Sequence, residues 1–323
     1  MSSTPTMSIQ HCPDEILDMI FQLLPVQSPD KAPAALLPTI LTCSRFYSIA
    51  KCHLIRIVCL QTAQSVNLFA AYLAQLTDTG AYGKALLPIT HMAVFGEYRN
   101  QRGDWGKRVE ETERLAERIL PFIISIAAPS LRSLTVFGFD VQYEEVDGRQ
   151  VKVMVEPSVC FPKLQRLVLL EQHIITLHRR EGQNEYSPSH CYPQLTSLYT
   201  QNRNVNKNVL GLRTLRELRL DMLIDTSDLP STPIPHVETI IIDSPSYEWL
   251  LLWGGHQAWS EYDEKIESCH AFIKANSSSP ESSVVVARGL CVRPEFVLDV
   301  WKDIVQGGSG CWKKGRTCNE NGF

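Results

Sequence analysis

One phrase recurs along the middle of the chain and restricts the folds open to it: L-x-x-L-x-L, in hydrophobic generalisation. It reads Ile89-x-x-Met92-x-Val94, Leu131-x-x-Leu134-x-Val136 and Leu164-x-x-Leu167-x-Leu169, then Leu195-x-x-Leu198-x-Thr200, Leu215-x-x-Leu218-x-Leu220 and Val237-x-x-Ile240-x-Ile242. Three copies follow the same prolyl lead-in, Phe161-Pro162-Lys163, Tyr192-Pro193-Gln194 and Ile234-Pro235-His236. Alternating apolar positions of this length are those of a strand with one face buried. Ahead of them, Leu54 to Leu60 has the β-branched content of a buried strand. A helix follows it, with Thr62 placed to cap and Val66, Phe69, Ala70, Leu73 and Leu76 on its apolar side.

The copies start 42, 33, 31, 20 and 22 residues apart. Insertions fill the longer gaps. Val141 to Val155 alternates around Asp147-Gly148, a hairpin signal, and Arg179 to Cys191 reads as a polar loop. Thr112 to Ile126 carries helical periodicity. The phrase and its later spacing resemble leucine-rich repeats, whose units run about 20–29 residues. That resemblance implies an irregular leucine-rich-repeat-like solenoid with an open ladder of side chains between the buried positions. Phe137, Arg166, Val168, Tyr199, Arg219 and Ile241 are its candidate partner-binding residues. Aromatic, aliphatic and arginine groups on one exposed surface suit protein recognition. An ordinary α/β sheet that uses leucine, with a solvated face, is the competing interpretation.

The first forty-odd residues differ in character. Pro13 suits a first helical position, and Asp14 and Glu15 follow at the positive end of the helix dipole. Ile16, Leu17, Ile20, Phe21 and Leu24 form an apolar stripe that Pro25 is expected to close. Leu36, Leu37, Ile40 and Leu41 form a second stripe, and Ser44 is placed to cap a third helix carrying Phe46, Ile49 and Ala50. Three helices this short cannot bury all their apolar positions alone, so they need a neighbour: the rest of the chain or another protein.

The string Pro-Asp-Glu-Ile-Leu-x-x-Ile-Phe-x-x-Leu, followed by Leu-Leu-x-x-Ile-Leu-x-Cys-Ser-Arg-Phe-x-x-Ile-Ala, resembles an F-box of the divergent fungal kind. The resemblance implies docking on the Skp-type adaptor of a cullin–RING ubiquitin ligase. The residues it assigns to adaptor binding are Pro13, Ile16, Leu17, Ile20, Phe21, Leu24, Leu37, Ile40, Leu41, Cys43 and Phe46.

Beyond Ser244 lie Trp249, Trp253, Trp259, Trp301 and Trp312, five of the six tryptophans. Helices are expected at 247–253 and 260–274, a last strand at Val284–Val286, and a helix from Pro294 to Gln306. Tryptophans so placed are expected to cap the open end of the solenoid. The stretch from Gly307 reads as a flexible tail.

Composition narrows the function classes. Lys plus Arg total 31 against 35 for Asp plus Glu, a net charge of −4, so no overall basic footprint for nucleic acid exists. No uninterrupted apolar run approaches the roughly eighteen residues that a membrane span needs. No apolar segment with a basic lead opens the chain, so no secretion signal is expected. The ten cysteines are scattered without a C-x-x-C pair, which favours reduced thiols in a cytoplasmic or nuclear protein. No metal-ligand spacing is seen among the nine histidines. Gly310 to Thr317 mimics a phosphate loop but has Arg316 where the lysine belongs. Cys269-His270 sits on an expected helix, where neighbours diverge and cannot pair as nucleophile and base.

The sequence therefore reads as an α/β protein in four parts: a flexible tail (1–11), an F-box-like helical domain (12–54), a leucine-rich-repeat-like domain (55–290), and a C-terminal helix with flexible tail (291–323). The function expected is that of a substrate-recognition subunit of a ubiquitin ligase of the cullin type. No catalytic residues, cofactor or metal are expected. A leucine-rich-repeat-like interaction scaffold without a ligase role is the alternative.

Overall fold

The six phrases and their two flanking β-branched segments form one sheet. The computed structural model describes residues 9, 12–78, 88–96, 111, 114–138, 159–170, 191–200, 211–221, 234, 236–244, 283–288 and 294–310. Its strands are β1 (Ile57–Leu60), β2 (His91–Phe95), β3 (Ser133–Phe137), β4 (Arg166–Leu170), β5 (Ser197–Thr200), β6 (Glu217–Asp221), β7 (Thr239–Ser244) and β8 (Ser283–Arg288). All eight are parallel, and each pairs with its neighbours in chain order. The register aligns the middle apolar position of every phrase: Met92, Leu134, Leu167, Leu198, Leu218 and Ile240 lie side by side.

Alternation along the strands gives the sheet two unlike faces. One is aliphatic, with Val58, Met92, Leu134, Leu167, Leu198, Leu218 and Ile240 in the main core. Helix α4 (Ala63–Asp78) covers it through Val66 and Leu73, together with a π-helical turn (Leu115–Ile119) and the helix Leu120–Ala127. The Thr62 hydroxyl caps α4 by accepting the Ser65 backbone N–H at 3.1 Å. The opposite face carries Ala93, Phe95, Phe137, Val168, Leu170 and Tyr199, and it too is covered. A C-terminal helix (Pro294–Val305) lays Val297, Val300, Trp301, Ile304 and Val305 against it.

This two-sided burial corrects the expected architecture. The protein is an α/β fold built on a single parallel sheet, with helices on both faces, and not a leucine-rich-repeat-like solenoid with an open ladder. Strands buried on both sides read as near-continuous apolar runs, which is why the leucine phrase looked like a repeat. Trp301 is fully buried on the sheet face and caps no open end. Residues 307–310 also depart from the expected tail: the Gly310 N–H donates to Asp303 Oδ2 at 2.7 Å, and Arg166 donates to the Gly308 carbonyl.

The hairpin around Asp147-Gly148, the polar loop after Arg179, the helices at 247–253 and 260–274, and nearly all of the 1–11 tail lie outside the described residues. Among the described residues, no helix is long and apolar enough to cross a membrane.

Candidate functional site

The N-terminal segment folds as three short helices: α1 (Asp14–Gln27), α2 (Ala32–Ile40) and α3 (Ser44–Ala50), with a 3₁₀ turn at Pro29–Lys31 between the first two. Helix α1 starts directly after Pro13, with Asp14 and Glu15 in its first turn. It runs through Pro25 to Gln27, two residues past the expected stop. The cap of α3 is Cys43, whose sulfur accepts the Phe46 backbone N–H at 3.5 Å; Ser44 is the first helical residue.

The three helices close on a small core of their own: Leu17, Phe21, Leu36, Ile40, Phe46 and Ala50. Phe21 and Phe46 meet edge to face, with ring centroids 5.5 Å apart. Arg45 at the start of α3 donates through Nε to Asp14 Oδ1 at 2.8 Å and through Nη2 to the Cys12 carbonyl at 2.6 Å, pinning α3 to the start of α1. The unit is seated on the sheet by Ala32, which enters the second core, and by a 3.3 Å ion pair from Lys302 of the C-terminal helix to Asp30.

This packing divides the eleven residues assigned to adaptor binding. Leu17, Phe21, Ile40 and Phe46 are buried in the helical core. Leu24 and Cys43 are half-buried against it. Pro13, Ile16, Ile20, Leu37 and Leu41 face outward. Two further apolar residues share the outer side of α1: Met19 and Leu23 each leave 60 % of their surface exposed. Ile16, Met19, Ile20 and Leu23 stand at i, i+3, i+4 and i+7, so they line one stripe. Leu41, at 80 % exposure, and Leu37 add apolar surface at the end of α2. Helix α1 is thus apolar on two sides, and among the described residues only one of them is covered.

The six residues proposed for the open ladder are corrected by burial. Phe137, Val168, Tyr199, Arg219 and Ile241 are all buried, and Arg166 is half-buried. The C-terminal helix packs on Phe137, Val168 and Tyr199, and Arg219 lies 5.9 Å from its Phe296 ring, so these residues hold the molecule together instead of lining a free surface. Arg219 is fully engaged: it gives two 2.7 Å hydrogen bonds to Asp243 and stacks 4.8 Å from the Tyr199 ring centroid.

Nearer the start of the strands, His91 Nδ1 lies 2.8 Å from Ser133 Oγ. Burial, reinforced by Arg56, Arg132 and Arg166 nearby, pushes the imidazole pKa down to about 4. Burial raises the Cys59 thiol to about 11, which makes it inert as a nucleophile. Among the described residues, Cys12, Cys43, Cys52, Cys59, Cys160 and Cys191 are free thiols.

One grouping escaped the sequence reading. Asp18, Cys52 and His53 converge where α1 meets the turn into β1. The only linear signal is the Cys-His dipeptide at 52–53, since Asp18 stands a whole helical unit upstream.

No family model, curated protein or solved structure matches the chain.

Proposed function

We propose that the outer apolar stripe of the N-terminal helices docks a second protein, and that this partner is the Skp-type adaptor of a cullin–RING ubiquitin ligase. The observation that supports this reading is the split of α1. Leu17 and Phe21 complete the internal core, while Ile16, Met19, Ile20 and Leu23 stand unburied on another side of the same helix. Four exposed apolar side chains in helical register, with Leu37 and Leu41 on the same unit, have the form of a helix-face interaction surface. The F-box-like sequence supplies the identity of the partner.

In this role the chain carries no bond chemistry. It holds the adaptor at one end and a protein substrate elsewhere, and ubiquitin transfer accelerates because tethering raises effective concentration. The buried ladder is not offered as the substrate site. Such a receptor acts in the cytoplasm or nucleus.

Co-purification of the tagged full-length chain tests the reading. Recovery of a Skp-type adaptor and a cullin by the wild type, and loss of both in an Ile20→Asp/Leu23→Asp variant that keeps its fold, is the expected result. A wild type that captures neither overturns it.

A second reading, an interaction scaffold without a ligase role, draws on the fixed seating of the helices. Asp30, Ala32 and the Val26 carbonyl all engage the C-terminal helix or the core beneath it. Capture of other proteins through the stripe, with no cullin, would favour it.

A further inference from the structure

At the junction of α1 with the turn leading into β1, three side chains of different donor chemistry face one another. Asp18 projects from α1 with half of its side chain exposed, and its Oδ1 lies 2.8 Å from His53 Nε2. His53 is buried, and Cys52 beside it is half-buried. One nitrogen and one sulfur from the adjacent His53 and Cys52, and one carboxylate oxygen from Asp18 far upstream, all lie within 4.8 Å of one another. From this convergence we propose that Asp18, Cys52 and His53 form a zinc site, completed by water on the exposed side of Asp18.

The donor set selects the metal. Zinc is borderline in softness and takes thiolate, imidazole and carboxylate together, whereas calcium and magnesium require oxygen. Zinc–ligand bonds of about 2.0–2.3 Å set tetrahedral donors about 3.3–3.8 Å apart, so the widest pair must close by about 1 Å. The half-exposed Asp18 side chain has room for that movement, as does a turn of the Cys52 side chain, whose sulfur donates to the Ile49 carbonyl at 3.3 Å.

Charge balance is simple. Binding releases the Cys52 thiol proton to solvent and leaves one thiolate and one carboxylate against the doubly charged ion. Lys51 and Arg56 stand nearby and favour the thiolate form of Cys52. Without metal, burial and then Asp18 hold the thiol above its ordinary pKa; a bound cation would stabilise the thiolate against both. The site joins α1 to the segment entering β1, so the ion would clamp the helical unit onto the sheet. It lies apart from the outer stripe, and the inference does not depend on the docking role.

Full-length protein, reduced and stripped with EDTA, is equilibrated with Zn(II), freed of excess metal by gel filtration, and assayed by elemental analysis and thermal melting. One zinc per chain and a raised melting temperature are expected, and Co(II) is expected to give a thiolate-to-cobalt charge-transfer band. Cys52→Ser should abolish that band, and Asp18→Asn should weaken zinc at least 10-fold, the scale on which even outer-shell changes act. Because nine other cysteines are present, Cys59→Ser serves as the control that keeps binding. Asp18 is on the surface, so its variant decides the question if Cys52→Ser fails to fold. A wild type that retains no zinc overturns the proposal, as does equal affinity in the wild type and Asp18→Asn.

Discussion

Arg219 on β6 and Asp243 on β7 form a two-pronged ion pair, both hydrogen bonds 2.7 Å long, inside the second core of the protein. Neither side chain exceeds 4 % exposure. Burial raises the Asp243 carboxyl pKa, and the guanidinium opposes that shift. Removing one member leaves the other charged and dry. Asp243→Leu is therefore expected to cost about 3–5 kcal/mol, and the Arg219→Met/Asp243→Leu double variant to recover much of that loss. Urea unfolding of the two single variants and the double variant measures the coupling.

The division of α1 predicts opposite phenotypes for adjacent residues. Phe21→Ala empties part of the helical core and should cost about 3–5 kcal/mol. Ile20→Asp should cost less than about 1 kcal/mol yet abolish adaptor capture. Melting temperature and co-purification, measured on both variants, separate the two roles; equal destabilisation would show that the stripe is structural.

Acid should weaken the fold through His91. Its folded pKa of about 4 lies below the ordinary value of about 6.5, so the unfolded chain takes up the proton first. Stability is complete above pH 6.5, declines as pH falls toward 4, and loses up to about 3 kcal/mol from this group. His91→Gln should flatten that limb of the curve. Equilibrium unfolding followed from about pH 7.5 to about pH 4 compares the two across the titration.

Trp301 is the largest wholly buried side chain among the described residues and a member of the second core. Trp301→Ala is expected to cost about 3–5 kcal/mol. Its indole nitrogen has no hydrogen-bond partner among the described residues, so Trp301→Phe forfeits less than Trp301→Ala. Calorimetry on both variants checks the order.

Much of this fold is legible in the sequence because period-two patterning is local. The phrases at Leu131, Leu164, Leu195, Leu215 and Val237 all became strands, and the helix from Pro294 ends at Val305, one residue before the expected Gln306. What covers a sheet face is a long-range fact. Arg166 meets Gly308 from 142 positions away, and no window of residues around Val168 or Tyr199 announces that a distant helix lies over them. The stripe on α1 is half legible for a related reason. Ile16 and Leu17 are equally apolar, and only the angle at which α2 and α3 pack decides which of them is inside. Asp18 on α1 and His53 in the turn after α3 are brought together by that same packing.

Strand order that follows chain order lets each new strand settle against the one synthesised just before it. The C-terminal helix breaks that rule, since it returns to β2, β3 and the 3₁₀ turn near the beginning. Until the helix Pro294–Val305 has been made and folds back, Phe95, Phe137, Val168 and Tyr199 lack this cover, and the nascent chain exposes an apolar sheet face.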